Sequence, residues 1–383
     1  MRVRALCTWL TAATTALSIL AAGVMVAAPS STQAGADELP LRLVDTGLIA
    51  PGTDGVLAPG VWSFTPQFPL WSDGAAKRRW LYLPPGRAID ASDPDAWVFP
   101  PGTRLWKEFA HEGRRIETRY LERRADGRWR YATYVWTADG REALRAPDEG
   151  LPGLAVAGAP EGRYDVPGRE DCLACHESAA VPVLGLSALQ LSPRRDGSPA
   201  APGDVDLPTL VARGLLVGLP QRLLQEPPRI AAASDAERAA LGYLHGNCGH
   251  CHNDNGQPPP VRLRLAQRVV DPAVARAEVL DTVAGARSRY RPRGLAQDAR
   301  IAVPGHPEDS VLALRMRSRH AQVQMPPLGT RVPDNEGLAL VERWIAHDLQ
   351  ATPALAMTAS ATASTTASTA VSSTASTTPA TRR

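Results

Sequence analysis

The chain has 383 residues, enough for two ordinary domains plus ends. Hydrophobic residues make up 44% and charged residues 21%, a globular balance that excludes wholesale disorder. The 42 basic and 39 acidic residues leave a net charge of only +3, part of it from Arg2 and Arg4 at the start of the chain, which excludes nucleic-acid binding driven by bulk charge.

The first element is a charged Met-Arg-Val-Arg start followed by an apolar run from about Leu6 to Ala28. Thr32-Gln33-Ala34 then supplies a small-residue exit before Gly35. That order describes a secretory signal peptide over residues 1–34. The competing reading is an uncleaved membrane anchor, because the run is about long enough to cross a bilayer. Cys7 lies at the very start of the run and leaves with the signal. No later segment approaches the length of a membrane helix, so no integral membrane segment is expected after cleavage.

Residues 35–165 read as a mainly β domain, a sandwich or barrel of unknown activity. Seven of the nine tryptophans and all four phenylalanines fall there. Arg115–Arg124 alternates with Ile116, Thr118 and Tyr120 on one face, and Arg128–Thr137 alternates with Trp129, Tyr131, Thr133 and Val135 on one face. Asp126-Gly127 between them is a hairpin signal, and the Pro-Gly pairs at 51–52, 59–60 and 101–102 read as turns. The basic residues of 114–130, interleaved with Glu117, Glu122 and Asp126, read as a solvated hairpin face, with a docking patch for a redox partner as the alternative. The tryptophans read as core rather than as a sugar-stacking surface.

Residues 166–350 read as a mainly α domain. Leu207, Leu210, Val211, Leu215 and Leu216 form one apolar stripe. Ser234 with Glu237 forms a capping box for a helix through Leu241 and Leu244 to Cys248, Ser310 opens another through Val311, Leu314 and Met316, and Asp334 caps a last helix carrying Leu338, Val341, Trp344 and Ile345. Only Tyr243, Tyr290 and Trp344 remain as aromatics, so something else must fill the centre. Residues 351–383 are almost entirely Ala, Ser and Thr and read as a disordered tail.

The four cysteines after the signal form two pentapeptides, Cys172-Leu-Ala-Cys175-His176 and Cys248-Gly-His-Cys251-His252. Each is C-x-x-C-H, the attachment sequence of c-type haem. Two thiols three residues apart each add to one vinyl group, and the next residue sets an imidazole beneath the iron. One chance match is expected in roughly a thousand such chains, and two are far rarer. Zinc knuckles are usually closer together, disulfides do not explain the paired histidines, and a thioredoxin-like motif lacks its βαβ context. Two covalently bound haem c groups are therefore expected, on Cys172, Cys175, Cys248 and Cys251, with His176 and His252 on iron.

Gln324-Met325-Pro-Pro-Leu-Gly329 offers Met325 as the sixth ligand of the second iron, on a loop stiffened by proline. A His/Met pair raises the potential and suits electron transfer. For the first iron, Met316 is favoured over His245, His306, His320 and His111, although packing is its bland role. An open five-coordinate iron is the alternative. His250, inside the second motif, points away from iron in the usual geometry. Pro258–Pro260 reads either as a proximal wall or as a plain turn.

The segment Tyr243–His252, then Ser310–Met316, Gln324–Gly329 and Trp344-Ile345, resembles a class I cytochrome c domain, with Ala240 as the small residue of its first helix and Leu244 where an aromatic is common. Phe68-Pro-Leu-Trp-Ser-Asp-Gly-Ala-Ala-Lys-Arg-Arg79, Phe99–Thr103, Lys107-Glu-Phe109, Glu117-Thr-Arg119, Cys172–His176, Val183–Leu186 and Gln190-Leu191 are similar to a family of secreted bacterial dihaem c-type cytochromes. The resemblance implies a multidomain chain, mainly β and then a mainly α cytochrome c-like dihaem domain. It implies a periplasmic electron carrier rather than an enzyme, working with redox proteins such as a dehydrogenase. A dihaem peroxidase or other haem oxidoreductase is the alternative. Asp73 reads as a turn residue before Gly74, or else as a functional carboxylate.

Overall fold

The computed structural model describes residues 38–53, 55–255, 262–291 and 298–349. The expected signal peptide with Cys7, the Pro258–Pro260 turn and the 351–383 tail lie outside the described residues.

Alternating apolar and polar side chains generate the strands β1 (Val61–Ser63), β2 (Ala76–Tyr82), β3 (Ile89–Asp90), β4 (Arg104–His111), β5 (Arg114–Arg123), β6 (Trp129–Trp136), β7 (Ala143–Arg145), β8 (Leu151–Ala155) and β9 (Arg163–Val166). Six of them build one antiparallel sheet in the order β1-β2-β4-β5-β6-β7, and β8 pairs separately with β9. The β5–β6 hairpin closes at Asp126-Gly127: Gly127 adopts φ 81°, and Asp126 Oδ1 accepts from the Arg128 N–H at 3.0 Å.

The two faces of this sheet differ in cover. On one, Trp106, Tyr120 and Tyr134 lie under the segment from Pro40. Trp106 Nε1 donates to Thr46 Oγ1 at 2.9 Å, and the Tyr134 hydroxyl donates to the Pro40 carbonyl at 2.8 Å. The other face carries Leu81, Leu105, Leu121 and Tyr131 in directly opposed positions. These four belong to the main hydrophobic cluster, together with residues from the second half of the chain.

That half supplies α1 (Arg169–His176), α2 (Leu207–Ala212), β10 (Leu216–Val217, parallel to β3), α3 (Arg222–Gln225), α4 (Asp235–Asn247), α5 (Pro272–Val283), α6 (Val311–Arg317) and α7 (Asn335–His347). Caps set their starts. Ser234 Oγ accepts from the Glu237 N–H at 3.0 Å while Glu237 Oε2 takes the Ala233 N–H at 2.6 Å, and Asp334 Oδ1 accepts from the Gly337 N–H at 2.9 Å. Helix α4 packs on α7, where a Cβ on Gly337 would lie 2.2 Å from the Tyr243 ring.

The expected fold class, a β sandwich or barrel followed by a mainly α cytochrome c-like dihaem domain, is corrected here. Strand takes 21% and helix 24% of the chain, and no cytochrome-like helical domain is evident. Among the described residues only α4, α5 and α7 exceed eight residues, and irregular backbone separates them. Among the described residues the six-stranded sheet is accompanied only by the two-stranded pairs β3–β10 and β8–β9. The physical reason is a shared interior. Phe64, Phe68, Trp97 and Phe99 lie in the same cluster as Leu241, Leu244, Val341 and Trp344, so the second half is the other layer of the sheet. The described residues from Pro40 on form one compact unit.

Candidate functional site

The first Cys-x-x-Cys-His segment is the body of α1. Asp171 Oδ2 accepts from the Gly168 N–H at 3.0 Å and sets the start of the helix. Cys172 and Leu173 pack against the main cluster. At the helix end the His176 Nδ1–H donates to the Pro182 carbonyl at 2.6 Å. A carbonyl only accepts, so this bond fixes the tautomer and leaves the Nε2 lone pair free to ligate. The Tyr131 ring of β6 tilts against the imidazole, with centroids 5.3 Å apart. Burial pushes the His176 pKa down to about 4, so the ring is neutral, the ligating form.

The second segment begins where α4 runs out. The Cys248 and Gly249 N–H groups both donate to the Leu244 carbonyl at 2.9 Å, and the His252 N–H turns back to the Cys248 carbonyl at 2.9 Å. Burial, and then the nearby Arg315 guanidinium, push His252 down to about 4. Burial also raises Cys172 to about 11 and Cys248 to about 12, so both are thiols rather than thiolates.

The fold brings the two segments together, although 76 residues separate Cys172 from Cys248. One ligand atom each from Cys175, His250 and Cys251 lies within 4.8 Å of the others. A Cys175–Cys251 hydrogen bond raises the first thiol to about 12 and lowers the second. Asn253 Nδ2 bridges the turns, donating to the Ser178 carbonyl at 3.1 Å and to its own turn at Gly249 and His250 at 2.9 Å.

Met325 is half-buried on a loop tied to α6: its N–H donates to the Arg315 carbonyl at 2.9 Å, and Arg315 Nε donates to the Val323 carbonyl at 2.7 Å. Arg315 also bears on His252, so one residue links the loop to the second motif. Met316 points into the core and is 7% exposed among Leu312, Leu338 and Val341. His245 Nδ1 accepts from the Gln267 N–H at 3.0 Å, which places the proton on Nε2 and removes that atom as a ligand. His111 stacks edge-on against Tyr164 at 5.9 Å, and His306 bonds Glu308 at 3.1 Å in an exposed position. His320 is exposed. His250 faces Cys175, as the cluster above requires.

Asp73 is both a turn residue and a clamp. It takes φ 49° before Gly74, and its carboxylate accepts from the Arg331 N–H at 2.9 Å and the Val332 N–H at 3.2 Å, just beyond the Met325 loop. Nearby, the Trp71 N–H donates at 2.7 Å to Asn247 Oδ1, the residue before Cys248. The reading of 114–130 as a solvated face needs correction at Arg119, which is only 26% exposed and pairs at 2.6 Å with the fully buried Glu117. No signal in a single strand of sequence separates Arg119 from its exposed neighbours. The register across three strands does so.

No protein-family model, curated protein or solved structure matches the chain.

A c-type haem fits these residues. Each motif presents two free, part-buried thiols and an imidazole from one short segment. The orienting Nδ1–H bond of His176 is the feature a proximal ligand requires.

Proposed function

We propose that the protein is an exported dihaem c-type cytochrome that carries electrons in the periplasm, between a dehydrogenase and a downstream acceptor. Haem bound at each motif supplies a one-electron iron couple. The chain's own part is to anchor each group through Cys172/Cys175 and Cys248/Cys251, to present neutral His176 and His252, and to keep water away. Met325 is assigned to the second iron, on the loop that Arg315 and Asp73 hold in place. Met316, the sequence's candidate for the first iron, sits in the core, where packing alone explains its place.

One observation carries the reading: two attachment turns far apart in sequence meet at Cys175 and Cys251. Groups anchored so close together suit transfer between them. The test is expression of the full chain in cells with a c-type maturation system. Two haems per chain that survive acidified acetone, with low-spin spectra, are expected. Colourless protein would end the proposal. A high-spin component that cyanide abolishes would shift it to the peroxidase-like alternative.

A second reading has one observation behind it. Cys175, His250 and Cys251 form three of the four donors a Zn²⁺ site needs. It leaves Cys172, Cys248, His176 and His252 without a role. Metal analysis of the same preparation separates the two: zinc in place of haem iron would favour it.

A further inference from the structure

The sheet face that meets the first motif carries two kinds of row. Leu81, Leu105, Leu121 and Tyr131 form an apolar one. One step along the strands, Arg79, Lys107 and Arg119 stand directly opposite one another on β2, β4 and β5. Like charges in opposed positions repel, and burial removes the water that would relieve them. Only Arg119 is compensated, by Glu117 at 2.6 Å. Arg79 is 7% exposed, and among the described residues no hydrogen bond or ion pair holds its guanidinium. Asp204 is the carboxylate that acts on it. Among the described residues the Lys107 ammonium makes no hydrogen bond or ion pair: it lies 4.8 Å from the Phe109 ring, which it shares with Arg119 at 4.3 Å, and the carboxylate that acts on it is Glu117, already held by Arg119. In the next row Lys77 is already used, donating to the Leu70 carbonyl at 2.8 Å. Arg79 and the half-buried Lys107 thus each lie near a carboxylate but are bonded to none among the described residues.

We infer that Arg79 and Lys107, flanked by Arg119, seat the two carboxylates of the porphyrin attached at Cys172 and Cys175. This rests on the dihaem reading above. The match is one of pattern and number. A porphyrin is apolar through its ring and vinyl edge and carries two carboxylates on the opposite edge. The sheet offers an apolar row, against which His176 already lies through Tyr131 at 5.3 Å, then a cationic row roughly 7 Å further on, two residues along each strand. Lys107 and Arg119 are close enough to bear on the His176 ring, and Arg119 on Cys172. The carboxylates would supply the direct ion pairs that Asp204 and Glu117 do not make with these two side chains.

The test uses the full chain, matured with haem, and the variants Lys107→Gln and Arg79→Gln. Both are expected to keep two covalent haems. The first haem should become easier to oxidise by about tenfold in its redox equilibrium, ~59 mV for one electron, and its potential should acquire a pH dependence as the freed carboxylate titrates. The second haem should not move, and Lys107→Arg should restore the native value. Two haems with an unchanged first potential in both variants, or an equal fall at both haems, would overturn the inference while leaving the dihaem reading intact. A wild type lacking haem on Cys172 and Cys175 would remove the reading itself. Should a glutamine variant not accumulate, Arg79→Lys and Lys107→Arg are compared with wild type by the carboxylate bending modes in resonance Raman spectra. Shifted modes support the seat, and unmoved modes count against it.

Discussion

Asp73 shows how much one side chain contributes here. It occupies a left-handed turn position that Asp and Asn tolerate, and it satisfies the backbone of Arg331 and Val332 across the molecule. Asp73→Ala should cost about 1–3 kcal/mol, because those N–H groups lose a charged acceptor. Under the dihaem proposal it should also weaken the methionine-to-iron absorption of the second haem in the oxidised protein, while leaving the first haem alone. A urea midpoint and a spectrum equal to wild type would exclude the clamp. Asp73→Asn, which keeps the backbone preference and an acceptor, should cost less. His245 makes a pH-dependent contribution. Burial holds its pKa at about 4 against 6.5 in an unfolded chain. Below pH 6.5 the unfolded state takes up a proton that the folded state refuses until about pH 4, so stability is full above that window and is lost as pH falls through it. The loss approaches roughly 3 kcal/mol. Denaturant titrations from pH 7 to pH 4 should show a slope shallower by about one proton in His245→Gln. Equal slopes would place the proton elsewhere.

Among the elements, α4 does the most positioning. It starts at the Ser234–Glu237 box, ends in the second motif, and lies so close to Phe68 that a Cβ on Gly246 would sit 2.4 Å from the Phe68 carbonyl oxygen. Backbone cannot retreat as a flexible side chain can. Gly246→Ala should therefore destabilise by about 1–3 kcal/mol despite its better helix propensity, with thermal melting as the check and an unchanged midpoint as the refutation. Much at this scale was legible. The capping boxes, the Asp126-Gly127 hairpin and the alternation in β5 and β6 are local, so the sequence displays them directly. The segments that carry the family resemblance are legible in another sense, because they touch. The Phe68 N–H donates to Gln190 Oε1 at 2.9 Å, and Gln190 Nε2 returns a bond to the Phe68 carbonyl at 3.2 Å. What stayed hidden depends on register: Arg119 looks like any hairpin arginine until β2 and β4 are laid beside it.

For the whole molecule, the scarcity of aromatics after residue 165 was legible but led to a separate helical domain. The shortage is partly met from the other half, because Phe64, Phe68, Trp97 and Phe99 enter the common cluster. Composition counted by segment cannot show a core shared across segments. A fragment of residues 166–349 should accordingly lack a cooperative melt and bind a hydrophobic dye, whereas a cooperative transition by circular dichroism would show that this half stands alone. The meeting of the two cysteine turns also bears on the order of events in biosynthesis. Cys175 and Cys251 face one another once the chain has closed. A polypeptide that closes too early, in an oxidising compartment, offers an oxidant a ready pair to join as cystine, and that crosslink would block one anchoring sulfur of each turn. Under the dihaem proposal, ligation of the prosthetic groups must therefore precede oxidation of this pair.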